Sequence, residues 1–292
     1  IELLNEFGAV LIYGAKSCGK TFIAELLSKS QYYMQDIGKK NLELISMGLE
    51  SKILDGENPR LIDEWQIVPE IWDKIRYIID KSHGKNSLYL LTGSNTLYNK
   101  NDIFHSGAGR IARIKMNTLS YCEFHNINDI SLKGLINNKQ INLSSYKKDS
   151  NINDVIEYIL HGGWPTILDK PTNNFSNQYV KSIINMNIDT SLRYKNENAL
   201  NVLKSLSRLN SSQIKKQTII SDIDNSLNEA TLDKYLDVFK NIYLLFNLNP
   251  WGSNIRSKYK MRTTPKTYLC DPSICLSCLQ INTKNQLLND LN

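Results

Sequence analysis

The sequence has no apolar segment long enough to cross a membrane. A transmembrane helix needs roughly 18 or more uncharged residues, and every apolar run in the 292 residues is much shorter. The N-terminus also lacks the basic and then apolar layout of a secretory signal. We therefore expect a cytoplasmic protein with no membrane partner. The chain begins at Ile1 without an initiator methionine, so we expect residue 1 not to be the first codon.

Cysteine and net charge are also low. The five cysteines are an odd number and mostly lie far apart, which is not the pattern of a disulfide framework. Cys270, Cys275 and Cys278 include a C-x-x-C, but three thiols do not complete a four-ligand zinc site. A net charge of +6 allows contact with nucleic acid without requiring it. The length is sufficient for two domains.

Short apolar runs alternate with helical patterns in the first half of the chain. Ala9–Tyr13 is a continuous apolar run between two glycines, which is typical of a strand buried on both faces. Helical spacing follows over 22–27 and 68–79, and a second strand-like run covers 88–91. This alternation predicts an α/β core with a parallel sheet, helices on both faces, and a ligand at the carboxyl ends of the strands.

The second half is mainly helical in pattern. Residues 126–153 are rich in Asn, Ser and Lys with little periodicity, so we place a boundary there. Helical spacing recurs at 155–159, 200–209 and 231–242, and the apolar run 243–248 predicts a strand. The predicted regions are a P-loop core (1–125), a connecting, lid-like helical region (126–195) and a winged-helix-like C-terminal domain (196–292).

A phosphate-binding motif lies between the first strand and the first helix. The string from Gly14 to Thr21 fits G-x-x-x-x-G-K-[ST], in which backbone amides and a helix N-terminus surround phosphate oxygens. Lys20 should reach the β and γ phosphates, and the Thr21 hydroxyl should bind Mg²⁺. We expect the bound nucleotide to be ATP rather than GTP. The expected nucleotide contacts are Gly14, Ala15, Lys16, Ser17, Cys18, Gly19, Lys20, Thr21 and Phe22.

Cys18 has two possible roles inside this loop. The helix end could acidify its thiol and make it redox-sensitive. We favour a passive role, because the backbone supplies the phosphate contacts there.

Two adjacent acids end the short apolar run at 59–64, as in a Walker B strand. Asp63 would hold magnesium opposite Thr21, and Glu64 would orient or deprotonate the attacking water. The alternative is that the acids only complement the positive end of a following helix. The loop upstream makes the catalytic interpretation the better one.

Further candidate catalytic residues follow the next predicted strand. Thr92, Ser94 or Asn95 could be a sensor that bonds the attacked phosphate. After the Gly107-Ala108-Gly109 turn, Arg110 or Arg113 could be an arginine finger, although both could equally be surface residues. The residues to which we assign catalytic roles are Glu64, Lys20, Arg110, Arg113 and Asn95.

The order of these strings resembles the bacterial and archaeal AAA-type ATPases that pair such a core with a C-terminal domain of uncertain role. The matching strings are the phosphate loop, Leu-Ile-Asp-Glu-Trp-Gln at 61–66, Leu-Thr-Gly-Ser at 91–94, Gly-Arg-Ile at 109–111, Leu-Ser-Tyr at 119–121, Glu-Phe at 123–124, Gly-Gly-Trp-Pro at 162–165, and Asp-Pro at 271–272. The resemblance implies ATP and Mg²⁺ chemistry at Lys20, Thr21, Asp63 and Glu64. It places Gly109 and Arg110 near a subunit face, and it implies a winged-helix-like module from about 195. This chain has Ser17-Cys18 where members often have Arg-Gln.

The combined patterns predict an ATPase that uses Mg²⁺ and acts as a homo-oligomeric, AAA-type switch or remodelling enzyme. DNA is a candidate partner, because residues 251–269 carry five cations and no acid and could form a basic wing that contacts phosphates; a solvated hairpin is the alternative. The alternative function is a slow, nucleotide-dependent module that recruits a protein partner. A small phosphotransferase would need an acceptor pocket and an arginine lid, and the sequence shows no clear sign of either.

Overall fold

The computed structural model describes residues 1–36, 40–94, 104–127, 134, 136–137, 151–191, 196–223, 227–251 and 263–290. The chain divides into two compact units, one of residues 1–117 with 241–243 and the other of residues 118–240 with 244–292. The boundaries at 125 and 195 remain a prediction. Within the described residues, no helix is long and apolar enough to span a membrane.

The first unit is built on a parallel sheet with strand order β2-β3-β4-β1-β5. Its strands are β1 (Ala9–Tyr13), β2 (Ser30–Tyr33), β3 (Arg60–Asp63), β4 (Tyr89–Gly93) and β5 (Ile111–Lys115). Its helices are α1 (Glu2–Glu6), α2 (Lys20–Leu27), α3 (Lys40–Ser46), α4 (Ser51–Leu54) and α5 (Ile71–Lys81), with a 3₁₀ turn at Trp65–Ile67.

Alternate residues of β1 pack into two separate cores. Ala9 and Leu11 belong to a cluster with Trp72 and Ile75 of α5. Val10 and Ile12 belong to another cluster with Leu4 of α1 and Ala24 of α2. Because successive side chains of a strand point to opposite faces, helices cover both faces of the sheet. This confirms the predicted α/β core.

The second unit is mainly helical, which is also as predicted. Its helices are α6 (Tyr121–Phe124), α7 (Ile152–His161), α8 (Asn174–Ser191), α9 (Asn196–Arg208), α10 (Lys216–Asp222), α11 (Glu229–Asn241), α12 (Pro272–Cys278) and α13 (Lys284–Asp290). The strands β6 (Leu245–Leu248) and β7 (Lys266–Leu269) form an antiparallel pair. The predicted strand at 243–248 begins only at Leu245, because Tyr243 has a left-handed backbone (φ 58°) that ends the preceding helix.

Candidate nucleotide-binding site

The phosphate-binding loop leaves β1 and enters α2. Gly14 has no room for a side chain, because a Cβ would lie 2.0 Å from the carbonyl oxygen of Met116. Gly19 precedes the helix at φ 98°, a left-handed conformation that glycine adopts without strain. Within the described part of the chain, the amides of Lys16, Ser17 and Gly19 donate to no backbone carbonyl. Unpaired amides beside a helix N-terminus are suited to bind an anion.

Lys20 is held inside the loop. Its side chain is 4% exposed, and Nζ donates to the carbonyl oxygen of Ala15 at 2.8 Å. An ammonium carries three donors, so this contact fixes Lys20 and leaves donors for phosphate oxygens. The ring of Phe22 is instead 64% exposed, so its main-chain amide, in the first turn of α2, is the group placed to contribute.

Cys18 is a packed thiol. Its side chain is fully buried, and Sγ donates to the carbonyl oxygen of Met116 at 3.5 Å. Burial raises the pKa of the Cys18 thiol, although Lys20 acts in the opposite direction. The thiol is therefore not acidified by the helix end, and the geometry favours the passive role.

Asp63, the last residue of β3, forms hydrogen bonds with both the phosphate-binding loop and β4. Its Oδ1 accepts a hydrogen bond from Thr21 Oγ1 at 2.8 Å and another from Thr92 Oγ1 at 2.5 Å. The carboxyl is 7% exposed; its burial raises the pKa of Asp63, and the hydrogen bonds from Thr92 and Thr21 oppose that rise. The structure thus brings together Thr21 and Asp63, the two predicted magnesium ligands.

Glu64 occupies an unusual backbone conformation beside Asp63. Its φ of 54° and ψ of 48° are left-handed, which costs a non-glycine residue about 1–3 kcal/mol and is found preferentially at functional sites. The Glu64 amide donates to Thr92 Oγ1 at 3.0 Å. Its carboxylate accepts hydrogen bonds from Ser94 Oγ at 2.9 Å and from Gln66 Nε2. Gln66 ends the Leu-Ile-Asp-Glu-Trp-Gln string at 61–66, but its contact with Glu64 was not predicted.

The two arginines make contacts outside the loop of their own chain. Arg110 precedes β5, and the next residue pairs with Ala9 at the start of β1, so Arg110 is at the opposite end of the sheet from the loop. Its Nε binds Asp80 at 2.8 Å. Arg113 stacks over Trp72, with its guanidinium carbon 5.1 Å from the ring centroid. Asn95 lies outside the described residues.

The oxygen donors at the site fit magnesium. Thr21 supplies a hydroxyl and Asp63 a carboxylate, both ligands that this hard cation prefers. Among the described residues, no group of three His, Cys, Asp or Glu could hold a metal alone. Mg²⁺ is normally held by one or two protein oxygens together with substrate phosphates, so these two residues are sufficient once a nucleotide is bound.

This geometry defines a P-loop nucleotide-binding domain. A glycine-rich loop joins β1 to α2, an acid pair stands at the end of β3, and β4 lies between β1 and β3 in the sheet. Residues 6–125 match the family model of the AAA domain, which agrees with the AAA-type resemblance of the sequence. Residues 152–285 match a domain of unknown function. No curated protein matches the chain significantly.

Three solved structures illustrate the likeness. A Walker-type ATPase of Pyrococcus abyssi is 12% identical with a TM-score of 0.52, over 95% of this chain and 93% of the other. The Thermotoga maritima RuvB branch migration motor is 14% identical, with a TM-score of 0.33 over 82% and 81%. The Aeropyrum pernix ORC1 protein in complex with DNA is 11% identical, with a TM-score of 0.32 over 97% and 88%. At these identities the first likeness concerns the fold alone, and the other two TM-scores are too low to support any argument.

Proposed function

We propose that the chain hydrolyses ATP with Mg²⁺. The observation that carries this proposal is the 2.8 Å hydrogen bond between Thr21 and Asp63, because it joins the phosphate-binding loop to the acid pair. A loop without such acids would only bind an anion. Acids beside the loop provide for the metal and for an attacking water. A cytoplasmic location is part of the same proposal.

Each residue has a separate task in this reaction. Lys20 and the loop amides bind the phosphates, and Thr21 and Asp63 would hold magnesium. Bound Mg²⁺ would supply positive charge that offsets the charge of the phosphate oxygens. Glu64 orients a water and accepts its proton as the water oxygen bonds to the γ phosphorus, while the bond to the leaving ADP oxygen breaks.

We further propose that Arg110 or Arg113 acts on the site of a neighbouring copy in a homo-oligomer. Arg110 lies at the opposite end of the sheet from its own loop, and the Arg113 guanidinium is stacked on Trp72, so we place the contribution of either one in trans. An arginine finger contributes about 10³ to 10⁵ in rate, which an isolated chain would lack.

Arg110→Ala and Arg113→Ala test this oligomeric mechanism. Wild-type turnover per chain should rise with protein concentration, and the variant without the finger should lose about 10³-fold or more in kcat with its ATP affinity retained. Arg76→Ala is the matched control, because Arg76 also pairs with Asp80 and reproduces the loss of an ion pair there. Slow turnover that is independent of concentration and of both arginines would favour the alternative function, a nucleotide-dependent module that recruits a protein partner.

The second unit is proposed to engage DNA through a winged-helix-like module. Helices α9, α10 and α11 are followed by the β6–β7 pair, which is the element order of such a module. The basic segment 251–269, called here the basic strip, follows β6 in the sequence and includes β7; residues 252–262 fall outside the described part of the chain. Its described member Lys266 is exposed.

DNA binding should depend on salt if this strip contacts phosphates. In fluorescence titrations of a DNA duplex, the logarithm of the association constant should fall linearly with the logarithm of the salt concentration. The slope should be about −0.9 for each phosphate contacted. Replacing the strip's cations by alanine should flatten that slope; they are Arg256, Lys258, Lys260, Arg262 and Lys266. The control replaces five exposed lysines of the first unit, namely Lys29, Lys40, Lys52, Lys81 and Lys85. An absence of binding at low salt, with or without ATP, would remove DNA as the partner.

A further inference from the structure

The end of β4 lies between the two halves of the site. In the sheet, β4 is flanked by β3, which carries the acids, and by β1, which leads into the loop. Thr92 is the penultimate residue of β4 and is fully buried. The sequence placed Thr92 among three candidates for contact with the attacked phosphate.

The hydroxyl of Thr92 is instead committed to the acids. It donates to Asp63 Oδ1 at 2.5 Å and accepts the Glu64 amide at 3.0 Å. A hydroxyl has a single donor, so while this bond is made the proton cannot also serve a phosphate. Thr92 therefore contacts both members of the acid pair and connects them through one atom.

Both hydrogen bonds of Thr92 help to set the orientation of the acidic side chains. The bond to Asp63 fixes the oxygen that also receives the Thr21 hydroxyl. The bond to the Glu64 amide stabilises a left-handed residue, a conformation that persists only where its surroundings hold it. The direction of the Glu64 carboxylate depends on that backbone conformation.

We propose that Thr92 is a positioning residue that sets Asp63 for the metal and Glu64 for the attacking water at the same time. This inference depends on the proposed ATP hydrolysis for its kinetic consequences. Its consequence for metal-dependent nucleotide binding can be measured without turnover.

Thr92→Val and Thr92→Ser separate the hydroxyl from the packing. Valine keeps the shape and removes both hydrogen bonds, whereas serine keeps the hydroxyl and loses the methyl group. Because small misplacements of reacting groups cost about 10²-fold, Thr92→Val should lower kcat by about that factor with a smaller change in KM. It should also reduce the gain in affinity for a fluorescent ATP analogue that Mg²⁺ produces over EDTA. Thr92→Ser should retain most of the wild-type kcat and most of the magnesium-dependent gain in affinity.

Ser94→Ala is the matched control. Ser94 Oγ donates to the Glu64 carboxylate and, among the described residues, shares no hydrogen bond with Asp63, so this variant should lower kcat while the magnesium-dependent gain in affinity stays as in the wild type. If Thr92→Val does not fold, as judged by its thermal unfolding, Thr92→Ala removes the same hydroxyl with a smaller side chain.

Two results would overturn the inference: a folded Thr92→Val with wild-type kcat and magnesium dependence, or a Thr92→Ser as impaired as Thr92→Val, which would assign the effect to packing. A wild-type protein that binds Mg²⁺ and ATP but hydrolyses none would refute the proposed hydrolysis instead, and the binding comparison would still decide the role of Thr92.

Discussion

Glu64→Gln should nearly abolish ATP hydrolysis and leave ATP bound. A general base contributes about 10² to 10⁴ in rate, and an amide cannot accept the proton of the attacking water. The amide oxygen can still accept the hydrogen bonds that Ser94 and Gln66 now donate to the carboxylate. The fold and the loop should therefore be unchanged, and the loss should appear in kcat. Phosphate release under single-turnover conditions and the affinity for a fluorescent ATP analogue measure the two quantities.

The control for this substitution is the same chemical change elsewhere in the first unit. Glu57→Gln alters an exposed residue and should leave both turnover and affinity as in the wild type. Turnover by Glu64→Gln within a few-fold of the wild type would show that another group activates the water. A parallel loss of ATP affinity would show that Glu64 contributes to the binding site and not to the chemical step.

The central strands could be predicted because their burial is visible in the chain. The run Ala9–Tyr13 is apolar throughout and became β1 with the predicted bounds. The strands β2 and β5 gave no such signal, because strands at the edge of the sheet are partly exposed and carry polar residues. Hydrophobic patterning predicts strands buried on both faces much better than it predicts edge strands.

The candidate site could be predicted where its chemistry is local in sequence. The spacing of the loop and the adjacent acids was sufficient to propose that Thr21 faces Asp63, and the two are hydrogen-bonded. The contacts of Thr92 could not be predicted, because they depend on β4 lying between β3 and β1, an order that differs from the order along the chain. The position of Arg110 at the far end of the sheet likewise required the register of β5.

The strings Gly-Gly-Trp-Pro and Asp-Pro, more than a hundred residues apart, meet in the second unit. Asp271 is 1% exposed; its Oδ2 accepts the Gly163 amide at 2.9 Å, and its Oδ1 accepts the Ser273 amide at 2.9 Å. Ser273 Oγ in turn accepts the indole N–H of Trp164 at 3.1 Å. A Cβ on Gly163 would lie 1.9 Å from the carbonyl oxygen of Leu119, so this glycine is required by the close approach of the backbone.

Asp271→Ala should therefore destabilise the second unit by about 2–6 kcal/mol. The substitution leaves the buried amides of Gly163 and Ser273 without an acceptor, at about 1–3 kcal/mol each, and the bond from the Ser273 amide is also the side-chain cap of α12. Denaturant unfolding measures the loss, and hydrogen exchange over residues 272–278 locates it. Asp169→Ala, at an exposed position, should change stability by no more than about 0.5 kcal/mol. Equal stability of the two variants would show that Asp271 does not support the Gly-Gly-Trp-Pro turn. A buried carboxylate that accepts hydrogen bonds from the Gly163 amide, the Ser273 amide and the Ser273 hydroxyl cannot be removed without cost if those bonds exist in solution.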